Sequence, residues 1–206
     1  EYVAQWCYYS LFKFIRRIDY LIMQFTKEEA RRIALSCAKQ YEQKLLNKKL
    51  LIIYKERQDG QIYYIEVTFL DKNYQHLTGL ELVDRNGNVL KRQSVNFYRK
   101  CRDKKLGLNE FQFKEDGTTP LKLAALSTLT NVTKITKIVS GYNNSRPYLY
   151  VDKLIGGVNF CLGLVWGSDS YVPSSALLED IKNLSDSPSQ VLAIFEKSIG
   201  DNTYTK

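Results

Sequence analysis

His76 is the only histidine in a chain of 206 residues, and it lies in the stretch YQHLTGL, Tyr74 to Leu80. An imidazole titrates at about pH 6.5 when unperturbed, so this side chain can take up or release a proton near neutrality. Thr78 can hydrogen-bond a phosphate oxygen or orient the ring, and Gly79 lets backbone and substrate come close. The same residues carry a plainer reading. A lone histidine often caps a turn or satisfies buried backbone, and a threonine beside a glycine is ordinary turn chemistry.

Other chemistries lack their residues. GGVNFCLG, from Gly156, has no Lys-Ser/Thr ending and is not a phosphate-binding loop. There is no Gly-x-Ser-x-Gly elbow. The carboxylates are dispersed among lysines, without the cluster that two-metal nucleases use, and Glu179-Asp180 reads as a solvated helix face. Cys7, Cys37, Cys101 and Cys161 are too widely spaced for a zinc set or a redox pair. They read as reduced, mostly buried thiols, which implies a cytoplasmic location. With 30 Lys+Arg against 22 Asp+Glu, a formal charge of +8 favours nucleic acid or an anionic surface as partner.

The elements that would position His76 follow from periodicity. Residues 1–22 read as an amphipathic, aromatic N-terminal extension, with Trp6, Tyr9, Phe12 and Arg16 at helical spacing. Lys13, Arg16, Arg17 and Asp19 interrupt it and it lacks a small-residue cleavage site, so neither a membrane span nor a signal peptide is expected of it. Met23, the sole methionine, opens the remainder, 23–206, which reads as a single domain. Thr26 and Glu29 form a capping box for a helix over 27–47, with Ala30, Ala34, Cys37 and Tyr41 on one face. LLIIYKE and QIYYIEVTF are strands around Asp59-Gly60. SVNFYRKCRDKK is helical, and Pro120 opens a second helix, PLKLAALSTL. TKIVSGYN, RPYLYVDKLI and GGVNFCLGLVW form a meander, PSSALLEDIKNL is a capped helix, and SQVLAIFEKSI is a final strand. The expected class is α+β, with N-terminal helices packed on a C-terminal antiparallel sheet.

FLDKNYQHLTGL, NFYRKCRDKKLGLNEFQFKEDGTTPLKLAAL, LYVDKLIGGVNFCLGLV, YVPSSALLEDIKNL and IFEKSI, in that order, resemble a phage- and mobile-element-associated branch of the barnase–EndoU–colicin–RelE-like nucleases. The resemblance covers about Met23 to Tyr204 and is most specific at His-Leu-Thr-Gly with its Asp-Lys-Leu partner. It implies helices on a sheet of about four antiparallel strands, and metal-independent cleavage of RNA without a cofactor.

For such cleavage a base must take the 2′-hydroxyl proton, an acid must protonate the leaving 5′-oxygen, and donors must stabilise the phosphorane. His76 is the candidate for one proton transfer, with Thr78, Lys153 and Lys197 around the phosphate. One histidine cannot be both base and acid in a turnover. The second carrier is left open among Tyr142, Tyr171, a lysine of lowered pKa, and water. Tyr142, Asn143, Ser145 and Tyr171 are the candidates for substrate contact. The expected partners are RNA and an antitoxin or inhibitor protein. The rival reading is a protein that binds RNA or another protein without cutting.

Overall fold

The computed structural model describes residues 24–205. The expected helix in 1–22, and Cys7 with it, lie outside the described residues.

Helix α1 (Lys27–Lys44) opens on the expected capping box: the Glu29 amide donates to Thr26 Oγ1 at 3.2 Å, and the Thr26 amide donates to Glu29 Oε2 at 2.9 Å. Ala30, Ala34, Cys37, Ala38 and Tyr41 are buried along one face, the stripe that 3.6-residue periodicity requires. The helix stops at Lys44, because Asn47 takes the left-handed conformation (φ 58°) and turns the chain directly into the first strand. Strands β1 (Lys48–Lys55) and β2 (Ile62–Phe69) form an antiparallel hairpin in unbroken register from Lys48↔Phe69 to Lys55↔Ile62.

After β2 come α2 (Asn73–Thr78), β3 (Leu80–Leu82), α3 (Ser94–Arg102), β4 (Phe111–Phe113), α4 (Thr119–Leu129) and α5 (Val132–Ile135). Strands β3 and β4 pair only with each other. The chain then runs through β5 (Ile138–Ser140), β6 (Lys153–Gly157), β7 (Phe160–Trp166), β8 (Tyr171–Leu177), α6 (Ile181–Leu184) and β9 (Ser189–Ser198).

The expected sheet of about four antiparallel strands under N-terminal helices is not what forms. The strands close into a mixed barrel in the order β1-β2-β8-β7-β6-β5-β9. Two contacts account for the difference. Strand β9 pairs along β1 from Lys48↔Ser198 to Lys55↔Gln190, with a bulge at Ile53/Tyr54, and so joins the N-terminal hairpin to the C-terminal meander. The ring closes where β2 meets β8 in parallel at the single pair Val67↔Tyr171.

A second correction concerns PSSALLEDIKNL. Its first half is strand β8, and only a one-turn helix, α6, capped by the Asp180 side chain, remains. Pro173 suits a helix start by composition. It is accommodated in the strand because the β7–β8 register shifts at Gly163/Leu164, opposite it, and a bulge tolerates a residue that cannot donate.

The main core joins α1–α4 to the barrel through Tyr41, Tyr74, Phe97, Leu50, Val67 and Leu162, all buried. Tyr74 is fully buried in an aromatic cluster with Tyr41 and Tyr98, and its hydroxyl donates to the Ala34 carbonyl at 2.6 Å. A smaller core under Tyr142, Leu149 and Val151 gathers Leu154, Cys161, Leu177, Ile181 and Leu184. Cys37, Cys101 and Cys161 are buried free thiols. Among the described residues, no helix is long and apolar enough to cross a membrane.

Candidate functional site

Helix α2 holds His76 by burying its other side. Asn73, Tyr74, Leu77 and Thr78 are buried, which leaves Gln75 and His76 on the outward arc. Gly79 ends the helix at φ 70°, a left-handed C-cap that glycine adopts without strain. Its carbonyl accepts from Thr119 Oγ1 at 2.7 Å and from the Lys114 amide at 3.0 Å, so the end of α2 is clamped to the start of α4. A Cβ on Gly79 would stand 2.8 Å from Thr119 Cα. We therefore expect Gly79→Ala to cost at least about 2 kcal/mol in urea unfolding, from the left-handed backbone and the clash together. Gly79→Asn, which tolerates the backbone but not the contact, is expected to recover only part of that loss.

The clamp brings Lys122 close enough for its charge to act on His76. The Lys122 stem runs past Gly79, with Cδ 3.3 Å from where a Cβ would be. Lys122 is only 6% exposed, and among the described residues no carboxylate pairs with its ammonium. Burial lowers its pKa and nearby Lys114 lowers it further, against a partial pull upward from Asp116 and Glu81. His76 remains solvent-exposed on one side, while burial of its packed edge, then the charges of Lys122 and Lys114, lower its pKa. Lys114 is itself answered by Asp116 at 2.9 Å. Burial works against ionisation of Asp116, but hydrogen bonds from Thr118 and the Lys114 ammonium outweigh it and bring this carboxyl down to about 2. Near neutral pH the cation of the group that lacks an ion pair is therefore Lys122, whose charge acts on the open imidazole. A buried cation without a carboxylate, next to an uncharged proton acceptor, is an arrangement that an anion completes.

The residues expected from the sequence fall in several places. Thr78 is buried: its Oγ1 donates to the Gln75 carbonyl at 2.8 Å and accepts from the Leu80 amide at 3.1 Å, inside the turn beneath His76. Lys153 opens β6 opposite Leu164. Lys197 lies on β9 opposite Lys49, its ammonium 4.6 Å over the Tyr204 ring. Tyr171 meets Trp166 edge-on at 5.0 Å, close to Asp152. The Tyr142 hydroxyl contacts the Ser145 and Pro147 carbonyls and accepts from the Leu149 amide at 3.1 Å. Asn143 Nδ2 donates to the Asn183 and Ser185 carbonyls, and Ser145 Oγ to the Asn183 carbonyl, which ties this loop to α6.

The cations that act on His76 are thus Lys122 and Lys114, neither of which the motif reading singled out. Lys122 carried a usable signal: it shares a helical stripe with the buried Ala125, Leu126 and Leu129, a place where a lysine needs a reason. Among the described residues, no three His, Cys, Asp or Glu side chains converge on a point fit for a metal ion.

The family model described as phage-Barnase-EndoU-ColicinE5/D-RelE like nuclease4 matches residues 33–206, which include His76, Lys114 and Lys122. No curated protein and no solved structure matches the chain.

Proposed function

The chain belongs to the phage-Barnase-EndoU-ColicinE5/D-RelE like nuclease4 family, and from that premise we propose that it is an endoribonuclease cutting RNA without a metal, by attack of a 2′-hydroxyl on the adjacent phosphate. The observation that supports this reading is the open imidazole of His76 within reach of the charge of the buried Lys122 ammonium, which makes no ion pair among the described residues.

In this mechanism neutral His76 takes the 2′-hydroxyl proton as the oxygen attacks phosphorus. The bond to the 5′-oxygen breaks, and Lys122 supplies the proton that oxygen needs. Its lowered pKa makes it a stronger acid than an ordinary lysine, and its charge faces the oxyanions of the phosphorane. The products are a 2′,3′-cyclic phosphate and a 5′-hydroxyl, and the two side chains finish with their protonation exchanged, to be reset through water. The excess of 30 Lys+Arg over 22 Asp+Glu draws RNA in, so binding weakens as salt rises.

The test is RNA incubated with the protein in EDTA, with product ends analysed. Cutting is expected to persist and to leave cyclic phosphates, and a 2′-deoxy sugar at the cut position is expected to abolish it. Binding without cutting would mark a non-catalytic RNA binder. Cutting of the 2′-deoxy substrate would remove the 2′-hydroxyl mechanism.

A further inference from the structure

Strand β9 is bonded along one edge to β1, from Lys48↔Ser198 to Lys55↔Gln190. Its other edge is covered only at the two ends. Strand β5 pairs there at Val139↔Ser189 and Ile138↔Gln190, and the Val191 amide donates to the Lys137 carbonyl. At the far end Glu196 and Thr205 exchange two main-chain bonds of 2.8 Å each. Between these contacts, no strand among the described residues pairs with residues 192–195 on that edge. The chain ahead of β5 is the short helix α5, so it does not continue the ladder.

Hydrogen bonding alternates along an antiparallel strand, so the direction of Glu196 fixes that of its neighbours. Ile194, two residues back, turns its N–H and C=O to the same side, where no group among the described residues bonds to them. The side chains along the gap are Val191, Leu192, Ala193, Ile194 and Phe195, none of them fully buried. Leu192 has no partner on β1, because the bulge falls there, and it is 48% exposed. Apolar edges are ordinarily guarded by a lysine, a proline or an inward charge, and none stands among these five residues. The gap is a template for one more strand.

The charges at its ends specify which strand. Lys137 lies beside Val191, and Lys197 follows Glu196. Neither makes an ion pair among the described residues. A second copy paired about a two-fold axis at Ile194 would set Val191 of one chain opposite Lys197 of the other, bringing Lys137 toward Lys197 and opposing like charges. A nucleic acid has no alternating N–H and C=O to offer. A polypeptide with apolar side chains at its centre and carboxylates at both ends meets the open backbone groups, the apolar side chains and both lysines.

We propose that the open edge of β9 is a strand-addition site for an extended segment of a partner protein, apolar at its centre and acidic at both ends, its main chain pairing with Ile194 and its carboxylates with Lys137 and Lys197.

The experiment titrates the full chain with end-blocked synthetic peptides that alternate valine or isoleucine with threonine between Asp-Glu and Glu-Asp ends, and follows amide exchange at Ile194 by NMR. The peptides are expected to bind and to slow exchange of the Ile194 amide. Methylating alternate peptide amides in one of the two phases, or replacing the acidic ends with lysine, is expected to weaken binding by about tenfold or more. Leu192→Glu, at an exposed position, is expected to weaken it as much while melting with wild type. Absence of peptide binding, or equal binding after methylation in both phases, would overturn the site. An Ile194 amide already protected in the free chain would assign the edge to another part of the same chain and overturn the partner. Self-association that Leu192→Glu abolishes would assign it to a second copy, with the same consequence.

Discussion

Replacing His76 with alanine is expected to slow RNA cleavage by about 10²- to 10⁴-fold, the range that a positioned general acid or base supplies. The side chain is open on the outward arc of α2, so truncation leaves the core contacts of Tyr74 and Leu77 in place. Stability should hardly change, and RNA affinity should fall little, because Lys122 and Lys114 keep the charge. Single-turnover cleavage rates measured beside a binding assay check this. Equal cutting by wild type and His76→Ala would remove the imidazole from the mechanism. If the activity is toxin-like, expression of wild type should slow growth and the variant should relieve it.

The same pair fixes the sign of the pH dependence. His76 must be neutral to act as base, and its pKa lies below the ordinary 6.5, first through burial and then through the two ammonium groups. Activity should therefore rise with pH through a point on the acid side of 6.5. Lys122 must be charged, and its pKa lies below 10.5, so activity should fall again before an ordinary lysine would titrate. Both limbs of the bell are displaced toward acid. For stability the sign follows from proton counts. His76 binds fewer protons folded than unfolded just below pH 6.5, so its share of stability grows as pH rises and is lost on acidification.

How much of this was legible depended on whether the determinant was local. The capping box at Thr26 and Glu29 and the hairpin about Asp59-Gly60 involve neighbours in sequence, and both form. The barrel was not legible, because it depends on β1 choosing β9 and on the lone Val67↔Tyr171 pair, and alternation along a strand specifies a face but not a partner. The β8 segment was misread for a related reason: Pro173 and the serines look like a helix start until the bulge opposite them is known. The site shows the same division. His76 stood out by rarity, whereas its cationic neighbours come from α4 and the segment before it, brought near by the Gly79–Thr119 contact. Lys153 was singled out within the Asp-Lys-Leu partner of the histidine motif and Lys197 as a last-strand residue able to reach the same cleft, and strand period alone does not say which helix a strand end meets.

Lys122→Met should separate activity from stability. Methionine keeps the unbranched stem that packs beside Gly79 and removes only the ammonium. Loss of one preorganised donor at a developing oxyanion lowers cleavage by about 10²- to 10³-fold. The folded protein, however, is relieved of a buried charge with no carboxylate partner, so melting should rise, by about 2–4 °C per kcal/mol regained for a chain of this size. The pH dependence separates this from generic repacking. In wild type, Lys122 holds fewer protons folded than unfolded between its lowered pKa and 10.5, so stability climbs with pH across that window, and the variant should lose the climb. Without the Lys122 charge the His76 pKa should also move up, carrying the acid limb of whatever activity remains toward neutrality. A variant less stable than wild type near pH 7, or an unmoved acid limb, would show that the two side chains are not electrostatically joined, and the proposed pairing of base and acid would fail with them.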